Sequence, residues 1–126
     1  MPATPGDWRW SMEGPRSVAR FADGLLALSC DPTTRQVTIA RRGGAAGRMP
    51  HAVPMTVLSL HETRPLSGTT SAAPPHDVIS VTLSANDRLL DAMAFSRGRF
   101  AIETAGLPTL YVPSWAEVSR VVEDCR

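Results

Sequence analysis

From Trp8 to Glu13 the residues WRWSME alternate, with Trp8, Trp10 and Met12 on one side and Arg9, Ser11 and Glu13 on the other. A period of two marks a strand with one apolar face. Three further strands follow as a meander over 17–22, 25–30 and 36–42. Asp23-Gly24 marks the first turn between them and DPTT the second, because Gly tolerates positive φ and Pro fixes its own. Residues 43–53, GGAAGRMPHAV, read as a loop. PMTVLSLHE then predicts a strand at about 55–61. TRPLSGTTSAAPPH carries Pro65, Gly68, Pro74 and Pro75, a breaker cluster that predicts a mobile surface loop. In DVISVTLS the alternation resumes, with Ile79, Val81 and Leu83 on one side.

The pattern changes at Asn86. Leu89, Leu90 and Met93 form a stripe at helical spacing, with Asn86 as the predicted N-cap and Gly98 as the stop. RFAIETA and TLYV predict two more strands. After Pro113, Ser114 and Glu117 have the spacing of a capping box. The last predicted helix then places Trp115, Val118, Val121, Val122 and Cys125 on one face, opposite Glu117, Arg120, Glu123 and Asp124. These elements predict a mainly β protein: an antiparallel β-sandwich or partly open barrel of about seven strands, with a short helix and a C-terminal helix docked on it. The alternative is α+β, a single sheet with both helices on one face.

At 126 residues, 43% hydrophobic and 20% charged, the chain suits one globular domain, 1–126, with 1–7 as a flexible tail. No apolar run is long enough for a transmembrane helix. A net charge of +1 gives no field that would advertise nucleic acid, and no nucleic-acid partner is expected. All 13 basic residues are Arg. A GC-rich genome explains that usage, and it makes every cation a planar, bidentate donor. The start, MPATPGDWRW, lacks the basic and apolar regions of a signal peptide. The expectation is either a cytoplasmic chain or one whose leader lies outside this stretch.

Candidate chemistry is sparse. Cys30 ends an apolar strand and Cys125 ends the docking helix, so they form a structural disulfide candidate; the alternative is two buried thiols. Arg97-Gly98-Arg99 is an anion-binding candidate, because two guanidiniums beside a Gly turn can grip a carboxylate or phosphate. The plainer reading pairs these arginines with Asp87, Asp91 or Glu103, or leaves them in water. Arg35, Arg41, Arg42 and Arg48 make the most basic local region, and Arg41 and Arg42 are interaction-surface candidates, though a solvated strand face explains them equally. His51, His61 and His76 share no metal-ligand spacing, so no metal and no cofactor are expected. Ser96 lies outside any nucleophile-elbow pattern, and no catalytic residue is assigned.

The runs LSCDPTTRQVTIARRG and LLDAMAFSRGRFAIETAGLPTLYVPSWAEVSRVVEDC resemble small alphaproteobacterial proteins of sphingomonad type, which are envelope- or lipoprotein-like. A fainter similarity is to the invasion-associated locus B family of periplasmic β proteins. The resemblance implies a periplasmic or envelope location and carries over Cys30 and Cys125 as a structural pair. The expected function is therefore a non-enzymatic binding or protein-interaction domain of the bacterial envelope, working through an exposed sheet edge or the arginine-rich side. Its partner would be a protein or a small anionic ligand, with a homodimer through a sheet edge as a further possibility. Two alternatives stand beside it: a small hydrolase using a His with Asp87 or Asp91, and a cytosolic binder of a small anion at Arg97–Arg99.

Overall fold

The fold is seen in a computed structural model, which describes residues 2–45, 47 and 49–126. Nine strands form a single antiparallel sheet: β1 Trp8–Glu13, β2 Arg16–Phe21, β3 Leu26–Asp31, β4 Gln36–Arg42, β5 Ala52–Leu58, β6 Thr63–Ala73, β7 His76–Ser84, β8 Arg99–Thr104 and β9 Leu110–Pro113. Two helices complete it, α1 Arg88–Ala94 and α2 Ala116–Asp124. The strand order is β1-β2-β3-β4-β7-β6-β5-β8-β9. The expected mainly β, antiparallel character holds. The count of seven strands and the sandwich do not, because one continuous sheet supplies both walls of the core.

That sheet coils until its two edge strands come together. Trp8 Nε1 in β1 donates to the carbonyl of Pro113 in β9 at 2.7 Å. Inward residues of eight strands meet the apolar faces of both helices in one core, including Phe21, Leu26, Ile39, Met55, Phe100 and Val112, and Leu66 of β6 packs against it half-buried. α1 contributes Leu89, Leu90 and Met93, and α2 contributes Val118, Val121 and Val122. Cys30 and Cys125 are joined by a disulfide, Cα to Cα 5.5 Å, which ties the end of α2 to β3.

Several local expectations are corrected. Residues 1–7 are not a free tail over their described part: Thr4 N–H donates to the Tyr111 carbonyl at 2.9 Å, and the Asp7 carbonyl accepts from Ala22 N–H. The breaker cluster is not a loop but most of β6. Over Thr63–Gly68 this strand pairs only with β5, and it meets β7 only from Thr69 onward. Pro65 thus lies where β6 is locally an edge, and a proline is tolerated there. The turn to β7 holds the cis peptide Pro74-Pro75.

Both helix caps also differ. Asp87, not Asn86, caps α1, its Oδ1 accepting from Leu89 N–H at 2.9 Å. Ser114 does not form the capping box. Its N–H donates to the Gly98 carbonyl, extending the β8–β9 ladder, and α2 starts two residues later behind Trp115. Trp115 is 43% exposed and leaves the inward stripe that the rest of α2 keeps.

Gly68 sits where β6 parts from β7. A Cβ there would lie 2.6 Å from Ile79 Cγ2 and 3.3 Å from the Val53 carbonyl. Ile79 is fully packed, so neither neighbour can yield freely. Gly68→Ala is expected to lower stability by roughly 1–3 kcal/mol. A urea midpoint equal to that of the parent would contradict the close approach.

Candidate functional site

Two of the concave surfaces among the described residues bear on the candidate chemistry. The first is a cleft between the β5–β6 turn and α1, with a volume of about 560 Å³, lined by His61, Glu62, Arg88, Asp91, Ala92 and Phe95. It forms because β6 and β7 diverge, and Arg64 spans the gap. The Arg64 guanidinium donates to Glu62 at 2.6 Å and to both Asp87 carboxylate oxygens at 2.7 and 2.8 Å. These hydrogen bonds, to Glu62 first and then Asp87, raise the Arg64 pKa further above its ordinary value. Asp91 pairs with Arg126 at 2.8 Å. On the rim Phe95 is 62% exposed, and the adjacent turn is fixed by Ser96 Oγ accepting from Leu60 N–H.

This arrangement bears on the expected His/Asp chemistry. His61 and Asp91 line the same cleft, yet Asp91 and Asp87 are each engaged by an arginine. His61 Nε2 and Nδ1 make no hydrogen bond to a carboxylate among the described residues. The other histidines are remote. His51 precedes β5, at the opposite end of that strand from His61, roughly 23 Å along a seven-residue strand. It contacts the Thr70 hydroxyl. His76 starts β7 at the exposed hairpin tip. Ser96, in turn, is buried as a structural acceptor.

The second concave surface is a groove of about 470 Å³ between Trp10 of β1 and α2, lined by Trp10, Ala116, Glu117, Ser119, Arg120 and Glu123. Its floor is a linked set of side chains. Trp10 Nε1 donates to Ser17 Oγ at 2.8 Å, and Ser17 Oγ donates to Asp124 at 2.7 Å. Arg120 lies over the Trp10 ring at 3.9 Å and pairs with Asp124 at 3.1 Å. Stacking a guanidinium on an indole face is favourable and holds both side chains still. Among the described residues Glu117 and Glu123 enter no ion pair.

The sheet edges are unequal. The outer side of β9 is covered by the residues that precede β1, with Thr4 N–H on the Tyr111 carbonyl and Tyr111 N–H on Thr4 Oγ1. Among the described residues no strand pairs with the outer side of β1, which meets β9 through Trp8 Nε1 on the Pro113 carbonyl. Gly14-Pro15 joins β1 to β2 as a two-residue turn, so Glu13 and Arg16 form a hydrogen-bonded pair. Alternation along the continuous register then turns the N–H and C=O groups of Met12 and Trp10 outward. Met12 is 52% exposed on the same strand.

The arginine candidates fall elsewhere. Arg97, Gly98 and Arg99 form an exposed turn, where Arg99 lies over Tyr111 at 5.5 Å. Neither arginine pairs with Asp87, Asp91 or Glu103. Arg41 and Arg42 do not share a surface, because neighbouring strand residues point to opposite faces. Arg41 is 4% exposed and points into the end of the core, donating to the carbonyls of Arg42 and Pro108. Burial, and then the charge of Arg42, lower its pKa from the ordinary value. As an interaction-surface candidate Arg41 is therefore corrected; Arg42 alone faces outward. Arg35 is exposed in the β3–β4 turn, and Arg48 lies outside the described residues.

Among the described residues no group of three His, Cys, Asp or Glu side chains comes together to hold a metal. None of their helices is long and apolar enough to cross a membrane. Comparison with protein-family models, curated proteins and solved structures finds no match to the chain.

Arg64, Trp10 and Arg120 were not among the sequence candidates. Glu62, just before β6, lies two positions from Arg64, close enough to signal their pairing, but the link to Asp87 spans 23 positions and depends on the fold. Nothing in the local pattern places Trp10 beside Arg120.

Proposed function

We propose that this protein is a non-enzymatic binding domain of the bacterial envelope whose working surface is the open outer edge of β1 with the groove beside it. The observation that carries this reading is the asymmetry of the sheet. One edge is closed by the chain's own residues, while beyond the Trp8–Pro113 contact the outward backbone groups of Trp10 and Met12 have no strand partner among the described residues and lie beside a helix-walled groove. An unpaired edge is a liability that proteins usually cover or break up, so one left open beside a concave wall fits recognition. The Cys30–Cys125 disulfide supports an oxidising compartment.

A photo-crosslinking amino acid at Met12, tested in the producing cell against the same probe at Phe95, separates the two surfaces. A discrete adduct from position 12 and none from position 95 is expected. The reverse result moves the site to the cleft at α1, and no adduct from either position overturns the binding reading. The hydrolase reading retains one favourable observation, the shared cleft of His61 and Asp91. It lacks a free carboxylate to orient the imidazole, a role the third member of a catalytic triad fills.

A further inference from the structure

We infer that the β1 groove takes an extended polypeptide segment carrying basic side chains, which adds to the sheet as a strand beside β1. The inference rests on the β1 edge being the working surface and goes further by naming the occupant. Strand addition needs a row of outward N–H and C=O groups and pockets for alternate side chains. Met12 and Trp10 supply the row, and the space between Trp10 and the Ala116–Ser119 face of α2 supplies the pocket.

Charge selects the kind of segment. Arg120 and Asp124 neutralise each other, which leaves Glu117 and Glu123 as the uncompensated charges along the groove. A strand laid there sets every second side chain toward α2, where Lys or Arg would meet these carboxylates. The same charges disfavour a second copy of the chain. Two β1 edges paired about a twofold axis would bring α2 toward its own image, Glu117 and Glu123 against Glu117 and Glu123. The ring of Trp10, already held by Arg120 and Ser17, offers a rigid apolar wall for the strand's uncharged positions.

The test uses the oxidised full chain and two capped octapeptides, one alternating valine and arginine, the other valine and glutamate. Amide exchange of Trp10 and Met12 reports strand addition directly. The arginine peptide is expected to slow both amides, with an affinity that falls as salt rises. Glu117→Gln with Glu123→Gln is expected to weaken it by about tenfold, each rim charge contributing a few-fold. Glu123 is exposed and Glu117 half-buried, and both lie outside the buried stripe of Val118, Val121 and Val122. Met12→Pro removes the outward N–H and is expected to abolish binding.

If both peptides protect the two amides equally, the edge reading stands and the basic occupant is wrong. If the amides become protected with rising protein concentration and no peptide, the occupant is a second copy and the inference fails. If neither peptide protects them and the protein stays monomeric, both the inference and the edge reading fall.

Discussion

Replacing both cysteines, Cys30→Ala with Cys125→Ala, should lower the unfolding free energy by about 4–5 kcal/mol in the chain-entropy account of crosslinks. The bond spans 95 positions of a 126-residue chain, so it closes about three quarters of the polypeptide into one loop. The folded state changes little, because Val118, Val121 and Val122 still hold α2 against β2 and β3. The effect falls on the unfolded state, which expands once the crosslink is gone. A urea titration should therefore show a lower midpoint together with a steeper dependence on denaturant. Equal slopes with a loss under about 1 kcal/mol would mean the bond contributes little. Thiols that alkylate in unreduced, unfolded protein would show that the bond is not formed at all. If it is formed, a loss of this size is a large share of a domain's usual stability margin. Keeping the protein folded would then favour the oxidising compartment proposed for it.

How far the fold could be read from the chain depended on the range of the information. β2, β3 and β4 were legible because Asp23-Gly24 and DPTT fix turns within a few residues, and alternation fixes the faces. The inward stripe of α2 was legible for the same local reason. β6 was not. Its Pro65 and Gly68 look like breakers until the sheet shows that one lies at a local edge and the other at a close crossing with Ile79. The number of layers was hidden as well. Period-two strands describe a sandwich and a coiled single sheet equally, and only the contacts between the first and last strands decide. Capping was misplaced by one residue at each helix, and Ser114 extends a strand instead of starting a helix.

The candidate site was less legible than the fold. Arg41 and Arg42 looked like one basic surface, but adjacent residues on a strand face opposite ways, and Arg41 ends inside the core. Arg97 and Arg99 share a turn without a wall to enclose an anion; the Tyr111 ring takes Arg99 instead. An exposed sheet edge was expected, and the chain alone did not say which edge is covered. That choice came from Thr4, a residue assigned to a loose tail, which covers β9 and leaves β1 open.

Trp8 is where that closure can be broken, and Trp8→Ala is expected to cost about 3–5 kcal/mol. The side chain is buried, its ring 5.5 Å from that of Phe21, and its Nε1 donates to the Pro113 carbonyl. It therefore fills the core and links the two ends of the sheet at once. Trp8→Phe separates these roles. It keeps most of the packed apolar surface and removes the donor, so it should cost about 1–2 kcal/mol, the range for one lost hydrogen bond with its acceptor left buried. Amide exchange at Tyr111 and Thr4 gives a local readout, since their hydrogen bonds depend on the same seam. Both amides should exchange faster in each variant, and more so in Trp8→Ala. Equal stability losses from the two substitutions would assign the whole effect to the hydrogen bond, and unchanged exchange at Tyr111 would show that β9 is held without Trp8. An open β1 edge is useful only if the rest of the seam stays shut. Loss of Trp8 should thus expose β9 as a second edge and raise the tendency of the protein to aggregate through it.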